Sequence, residues 1–181
     1  MFWLTIILFV IFFLTIICSI VRLNRLKEIQ QAKVITNTVL YYSLLFFCIL
    51  LFRLQVPYWT IILTMIAAFF SAFFGHYLRM YYRSIVFDRY LHTYGTFSFS
   101  LLFFYLLDHF LMMGGSHLFL AVFVFLLGNT LGVIFELMEF KFDLNPSNTV
   151  KAQHGLKDTD TDMLFNLFGA IGAAIFVYFT V

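Results

Sequence analysis

The sequence predicts an all-α polytopic membrane protein, in which six transmembrane helices form a bundle and one domain over residues 1–181. Composition is the first reason, because 63% of the residues are hydrophobic and only 11% are charged, whereas soluble domains contain about 25% charged residues. The second reason is that apolar runs of about 18 residues or more recur along the chain. The third is that lysine and arginine lie almost entirely in alternate connections between these runs.

The first half of the chain predicts three helices, over residues 2–21, 34–52 and 58–78. The first apolar run lacks a basic leading region and a small-residue cleavage site, so we expect a retained helix rather than a cleaved signal peptide. Cys18 and Cys48 lie inside apolar runs, where free cysteines pack as small apolar residues. A short turn containing Arg53 and Pro57 precedes the third helix.

The second half predicts three more helices, over residues 96–113, 117–140 and 162–181. At about 1.5 Å per residue, each is long enough to cross about 30 Å of hydrocarbon. Residues 79–95 are expected to form a connection along the membrane surface, and residues 114–116, Gly-Gly-Ser, predict a tight turn. The last connection contains the turn-forming sequence Asn-Pro-Ser-Asn at residues 145–148.

The distribution of positive charge predicts the orientation of the helices. Ten of the eleven lysine and arginine residues lie in the first, third and fifth connections, and only Arg53 lies elsewhere. The ten are Arg22, Arg25, Lys27, Lys33, Arg79, Arg83, Arg89, Lys141, Lys151 and Lys157. Because cytoplasmic loops are rich in lysine and arginine, we expect these three connections inside the cell and both termini outside.

Acidic residues gather where the fifth and sixth predicted helices meet their shared connection. On the fifth helix, Gly128, Gly132 and Glu136 recur at every fourth position, and Glu139 and Asp143 continue the same face. Glycines at this spacing allow close approach of a second helix. A carboxylate about one turn inside the membrane is costly and usually faces protein or a wet cavity.

The sixth predicted helix carries a matching face. Asp158, Asp162, Asn166 and Gly169 follow one another at steps of four, four and three residues. We therefore expect the two faces to pack together at the inner membrane boundary. The residues expected to converge there are Glu136, Glu139, Asp158, Asp162 and Asn166.

Clustered carboxylates must be protonated, paired with basic residues or neutralised by a cation. The predicted metal ligands are Glu136, Glu139, Asp158 and Asp162, and oxygen ligands of this kind favour Mg²⁺ or Mn²⁺. Such a cation predicts action on a lipid-linked or phosphate-bearing substrate. The substrate would be held by Arg79, Arg83 and Asn166. Glu139 and Asp162 are the candidate general bases.

Two other function classes stay open at this point. A small transporter or channel would use Glu136 as a proton or cation site, with Asp108 and His109 on the opposite side of the pathway; the role of His117 beside them is open. In a structural or interaction protein the acids would only cap and join helices, as the capping box formed by Thr159 and Asp162 suggests for Asp158 and Asp160. Membrane lipids are the expected partners, and no nucleic-acid-binding surface is predicted.

Residues 128–174 resemble a known family. The resemblance is carried by Glu136-x-x-Glu139-Phe140 and by Gly155-Leu156-x-Asp158-Thr159-x-x-Asp162-x-x-x-Asn166-x-x-Gly169-Ala170. This pattern resembles the YjdF-type family of bacterial inner-membrane proteins and is loosely similar to VanZ-like membrane proteins, although Phe135 stands where tryptophan is frequent. The resemblance implies a small multi-pass protein of the bacterial cytoplasmic membrane, and it implies no particular activity.

Overall fold

The computed structural model describes residues 2–146, 148 and 151–181, and these residues form seven α-helices and one π-helical segment without any strand. The helices are α1 (Phe2–Arg25), α2 (Ile29–Leu51), α3 (Tyr58–Phe69), α4 (Met80–Arg83), α5 (Ile85–Leu111), α6 (His117–Asp143) and α7 (Leu156–Thr180). The π-helical segment, Phe70–Tyr77, continues α3 directly. The predicted all-α class is confirmed.

Five helices of the described chain are long and apolar enough to span a membrane. They are α1, α2, α3 with its π-helical continuation, α6 and α7. The remaining long helix, α5, has 27 residues, which is ample length, but its serine, threonine, tyrosine and histidine residues make it less apolar than the others. Five of the six predicted spans are therefore supported, and the sixth, on α5, stays a prediction.

The largest error in the predicted boundaries concerns α5, which begins at Ile85 and not at residue 96. Most of the connection predicted over residues 79–95 is therefore helical. Polar residues made this segment look like a loop, but the Thr93 hydroxyl donates to the Phe165 carbonyl of α7 at 3.0 Å. A contact with a distant helix thus stabilises polar turns that local hydrophobicity does not predict.

The other boundaries shift by fewer residues. The last helix begins at Leu156 rather than at residue 162, directly after Gly155, whose φ of 106° ends the preceding loop. Asp158 lies in the first turn of α7, where a negative charge complements the helix dipole. The structure also lengthens α1 to Arg25, starts α2 at Ile29 and ends α6 at Asp143.

The chain divides into two compact units, the first ending at Asp88 and the second starting at Arg89. In the first unit, Phe12, Ile16, Ile35 and Tyr42 belong to one buried apolar cluster. The Tyr42 hydroxyl donates to the Ile61 carbonyl at 2.6 Å and thereby joins α2 to α3. The prediction of one transmembrane domain over the whole chain stays a prediction.

In the second unit, α6 and α7 pack through the glycine-bearing faces expected from the sequence. A Cβ atom on Gly128 would lie 2.8 Å from the Ala170 Cβ, and one on Gly132 would lie 2.8 Å from the Asn166 Cβ. Both separations are shorter than side-chain carbons tolerate, so the helices approach this closely because no side chain intervenes. The predicted packing of these two faces is confirmed.

Candidate functional site

Three titratable side chains converge where α5 and α6 meet in the second unit. His92 comes from α5, and Glu136 and Glu139 come from α6. One potential ligand atom from each lies within 4.8 Å of those of the other two. Glu136 is 5% exposed, and the His92 side chain is 9% exposed. An imidazole and two carboxylates at this spacing could hold a divalent cation.

The depth of Glu136 follows from the spacing of α6. Gly132 lies one turn before it on the same face and packs against Asn166 of α7. This face of α6 is buried along its length. Glu136 is the next residue on it, so its side chain lies between helices and does not face lipid. Its carboxylate therefore sits in protein, where a bare negative charge is costly and a neutralising group is stabilising.

Asn166 joins α7 to α5 and orients His92. Its Oδ1 accepts a hydrogen bond from the Thr96 hydroxyl at 2.7 Å and contacts His92 Nδ1 at 3.2 Å. Because a carbonyl oxygen can only accept, His92 Nδ1 must be the donor, and the lone pair of the neutral ring is then on Nε2. In this tautomer Nε2 is the ring nitrogen that could bind a cation, and a hydrogen bond from the other nitrogen is what orients a metal-binding histidine.

Glu136 has additional polar neighbours. His92 Nδ1 lies 3.8 Å from Glu136 Oε1. On the other side, Gln153 Nε2 donates to the Glu136 carbonyl at 3.1 Å and approaches Oε2 at 3.4 Å. Its two carboxylate oxygens thus face different groups, one on α5 and one on the segment that precedes α7.

Comparison with known proteins identifies the family. The family described as "Predicted membrane protein (DUF2238)" matches residues 3–181, which is nearly the whole chain. The chain belongs to this family. A member of this kind is an integral membrane protein, in agreement with its apolar helices. The more specific resemblance to YjdF-type and VanZ-like proteins stays a prediction.

This DUF2238 member is also similar to a protein of Thermotoga maritima whose description reads "Uncharacterized protein". The two are 31% identical over 126 residues, which cover 68% of this chain and 64% of the relative. The match thus spans less than two thirds of the length of that relative. No solved structure matches the chain.

The structure distributes the predicted ligands of this DUF2238 member among different surroundings. Glu136 and Glu139 lie together, with His92 completing their group. Asp162 is 2% exposed on the buried face of α7, and one of its carboxylate oxygens lies within 4.8 Å of a His92 ring nitrogen, so this predicted ligand borders the same histidine. Asp158 accepts a hydrogen bond from the His154 backbone N–H at 3.0 Å, which closes the start of α7.

The predicted substrate-binding arginines belong to the first unit. Arg79 forms an ion pair with Glu28 at 2.5 Å, and this contact raises the pKa of the Arg79 guanidinium further above its ordinary value. Arg83 is exposed at the end of α4. Asn166, the third predicted substrate-binding residue, is buried and contacts His92. A substrate-binding role for these three residues stays a prediction.

The polar residues that the sequence predicts on the outer side make contacts near helix ends, with sequence neighbours for Asp108 and His109 and with α7 for His117. Asp108 Oδ1 accepts the Met113 backbone N–H at 2.9 Å, beyond the last turn of α5. The His109 ring packs on Phe110, and the His117 ring packs edge-on against Tyr178 with centroids 6.3 Å apart. These contacts are typical of helix ends.

His92, Thr93, Thr96 and Gln153 are the residues of the site that sequence reasoning missed, because it assigned His92 and Thr93 to a connection. A usable signal was present, since His92, Thr96 and Ser100 recur at every fourth position and so share one helical face. Thr96 and Ser100 are 2% and 0% exposed, which confirms that this face is buried. No comparable local signal pointed to Gln153.

Proposed function

We propose that this DUF2238 protein binds a divalent cation through His92, Glu136 and Glu139 and uses it to act on a lipid-linked, phosphate-bearing substrate. The observation that carries the proposal is the convergence of these three ligand atoms within 4.8 Å, on helices that bury Glu136. A cation there would neutralise the carboxylates, which otherwise repel each other in a poorly solvated site.

The chemistry of the ligands favours a particular group of metals. Mg²⁺ prefers oxygen ligands and retains several waters, whereas an imidazole together with carboxylates suits Mn²⁺, Fe²⁺ or Zn²⁺. Of the Mg²⁺ and Mn²⁺ predicted from the sequence, the presence of His92 favours Mn²⁺. Such an ion would polarise a phosphoryl oxygen of the substrate.

A phosphate-bearing lipid is the substrate class that suits this position. The site lies on membrane helices, so a substrate anchored in the bilayer can present its head group there. Asn166 supports the same class, because its buried Nδ2 has no hydrogen-bond acceptor among the described residues. A buried amide donor of this kind is usually satisfied by water or a ligand oxygen. Glu139 and Asp162 remain the proposed general bases, and phosphate binding by Arg79 and Arg83 stays a prediction from the sequence.

The proposed position is the cytoplasmic boundary of a bacterial inner membrane. This orientation rests on the ten basic residues in the first, third and fifth connections. It includes α5 as a sixth span and places both termini outside. The substrate head group would then be reached from the cytoplasmic leaflet.

Manganese titration of the purified protein in lipid nanodiscs tests the metal. We expect one Mn²⁺ per chain, with at least tenfold weaker binding after Glu136→Gln or His92→Asn. Asp160→Asn is the matched control, because Asp160 is an exposed acid on α7, and it should bind as the wild type does. Equal binding by all four proteins, or no binding by the wild type, would refute the metal site. Phosphate release from a lipid-linked diphosphate then tests the substrate class.

A transporter that uses Glu136 as a proton or cation site is the second candidate, favoured by the 3.8 Å approach of His92 to this buried acid. It would need a polar path towards Asp108. On α5 between His92 and Asp108, Leu101 and Phe104 are 0% and 1% exposed. The same stretch also buries the hydroxyls of Ser98 and Ser100, so burial on α5 does not by itself decide for or against such a path. The structural alternative is supported by the hydrogen bonds that Asn166 forms across helices, and the titration above separates it from metal binding.

A further inference from the structure

Asp143, the last residue of α6, is an acid that the proposed metal site does not use. Its carboxylate binds two successive backbone N–H groups, with Oδ1 accepting from Ala152 at 2.7 Å and Oδ2 accepting from Gln153 at 2.9 Å. The Lys151 ammonium donates to the Asp143 backbone carbonyl. The Asp143 carboxylate therefore holds two successive backbone N–H groups of residues 151–153 at the end of α6, and the Lys151 side chain adds a third bond there.

The segment 151–153 places the Gln153 side chain beside Glu136. Gln153, whose backbone N–H binds Asp143, extends its amide back along α6 to Glu136. Its Nε2 lies 3.1 Å from the Glu136 carbonyl oxygen and 3.4 Å from Glu136 Oε2. Glu136 and Asp143 lie seven positions apart on α6. This separation is about two helical turns, so both acids lie on the same face of the helix.

We propose that Gln153 is a positioning residue for the metal ligand Glu136, and that Asp143 acts through Gln153 by holding it in place. This inference rests on the proposed function, since it assigns the second layer of contacts around the same cation. Gln153 Nε2 lies 3.4 Å from Oε2 while His92 Nδ1 lies 3.8 Å from Oε1, so each oxygen of the Glu136 carboxylate has a polar neighbour that limits its rotation.

The physical reason is the freedom of a glutamate side chain. Glu136 has three rotatable side-chain bonds. A cation binds more tightly to a carboxylate that is already correctly oriented, because less side-chain freedom is lost on binding. Partners of this kind behind metal ligands typically change metal affinity by about 10- to 100-fold. The bonds from Asp143 are charge-assisted and therefore strong, so they fix the segment from which Gln153 reaches the site.

The segment offers a matched control for Gln153. Asn148 is also a side-chain amide in the connection between α6 and α7, and its Nδ2 donates to the Phe142 carbonyl at 2.8 Å. It binds the α6 backbone, as Gln153 does, but it holds a carbonyl and not a carboxylate. If side-chain amides in this connection served only to stabilise the fold, Gln153→Met and Asn148→Ala would change Mn²⁺ binding to the same extent.

The experiment is a double-mutant cycle read by Mn²⁺ titration in nanodiscs, with thermal unfolding of the metal-free protein as the second readout. We expect Gln153→Met, which keeps length and removes the amide, to weaken Mn²⁺ binding about 10- to 100-fold. Asp143→Ala should weaken it to a similar extent, and the double variant should be no weaker than either, because both changes remove the same contact. Asn148→Ala should bind Mn²⁺ as the wild type does.

The outcomes separate the two proposals. If the wild type binds Mn²⁺ and Gln153→Met binds it equally well, the positioning role is overturned while the metal site stands. Additive losses in the cycle would overturn the statement that Asp143 acts through Gln153. If the wild type binds no Mn²⁺, the proposed function fails and this inference fails with it. If Gln153→Met unfolds, Gln153→Asn, which retains the amide on a shorter chain, replaces it and should give the same weakening.

Discussion

His92 on α5 and Asn166 on α7 are in direct contact, with the histidine Nδ1 3.2 Å from the asparagine Oδ1. The same oxygen accepts the Thr96 hydroxyl at 2.7 Å. A single amide therefore ties α7 to two successive turns of α5 and sets the orientation of the imidazole. This relationship links the stability of the second unit to the geometry of the proposed metal site.

Replacing Asn166 should affect both properties. Asn166→Ala leaves the Thr96 hydroxyl and His92 Nδ1 without this acceptor, so we expect a loss of about 1–3 kcal/mol in the free energy of unfolding. Mn²⁺ binding should weaken at least tenfold, because His92 loses its orienting partner. The control is Asn129→Ala, since the Asn129 amide donates to Phe125 on its own helix. Equal Mn²⁺ affinities in the two variants would contradict an orienting role.

Gly132 should tolerate no side chain. The Cβ of Gly132→Ala would lie 2.8 Å from the Asn166 Cβ, so α6 and α7 would have to separate, at a cost of about 1–3 kcal/mol. Gly95→Ala is the matched change on α5, because a Cβ there meets nothing within 4 Å. It should be neutral or stabilising by up to about 1 kcal/mol. Thermal unfolding in nanodiscs measures the difference, and a stable Gly132→Ala protein would contradict the packing described.

Asp158 and Glu136 should respond differently to neutralisation. Asp158 accepts the His154 backbone N–H at 3.0 Å at the start of α7, so Asp158→Asn should lower stability by about 0.5–1 kcal/mol and leave Mn²⁺ affinity unchanged. Glu136→Gln should lower Mn²⁺ affinity strongly. If Asp158→Asn instead weakens Mn²⁺ binding to the same degree, the all-carboxylate ligand set expected from the sequence is the better description.

Whether α5 spans the membrane can be decided by labelling. In a chain carrying Cys18→Ser and Cys48→Ser, single cysteines at Arg83→Cys and Ser116→Cys bracket α5. We expect a membrane-impermeant maleimide added outside cells to label position 116 and not position 83. Labelling of both positions, or of neither until the membrane is opened, would mean that α5 does not cross.

Much of the fold is readable from the sequence because it depends on local properties. Apolar runs locate the five candidate spans. The recurrence of Gly128, Gly132 and Glu136 at every fourth position identifies the face on which α6 meets α7. The course of α5 is not readable in this way. The first turns of α5 are polar, so their sequence is typical of a loop. They are stabilised by α7, since the hydrogen-bond partners of Thr93 and Thr96 lie 72 and 70 residues later in the chain.

By itself, the sequence determined that this is an α-helical membrane protein and that Glu136 and Glu139 lie on one helical face with two glycines, because hydrophobicity and helical period are properties of short segments. Only the tertiary structure decided which groups accompany them. It brings His92 to the two glutamates, leaves Asp158 at a helix start and extends Gln153 to Glu136. The reason is that these contacts join separate elements, and their geometry follows from how the helices pack.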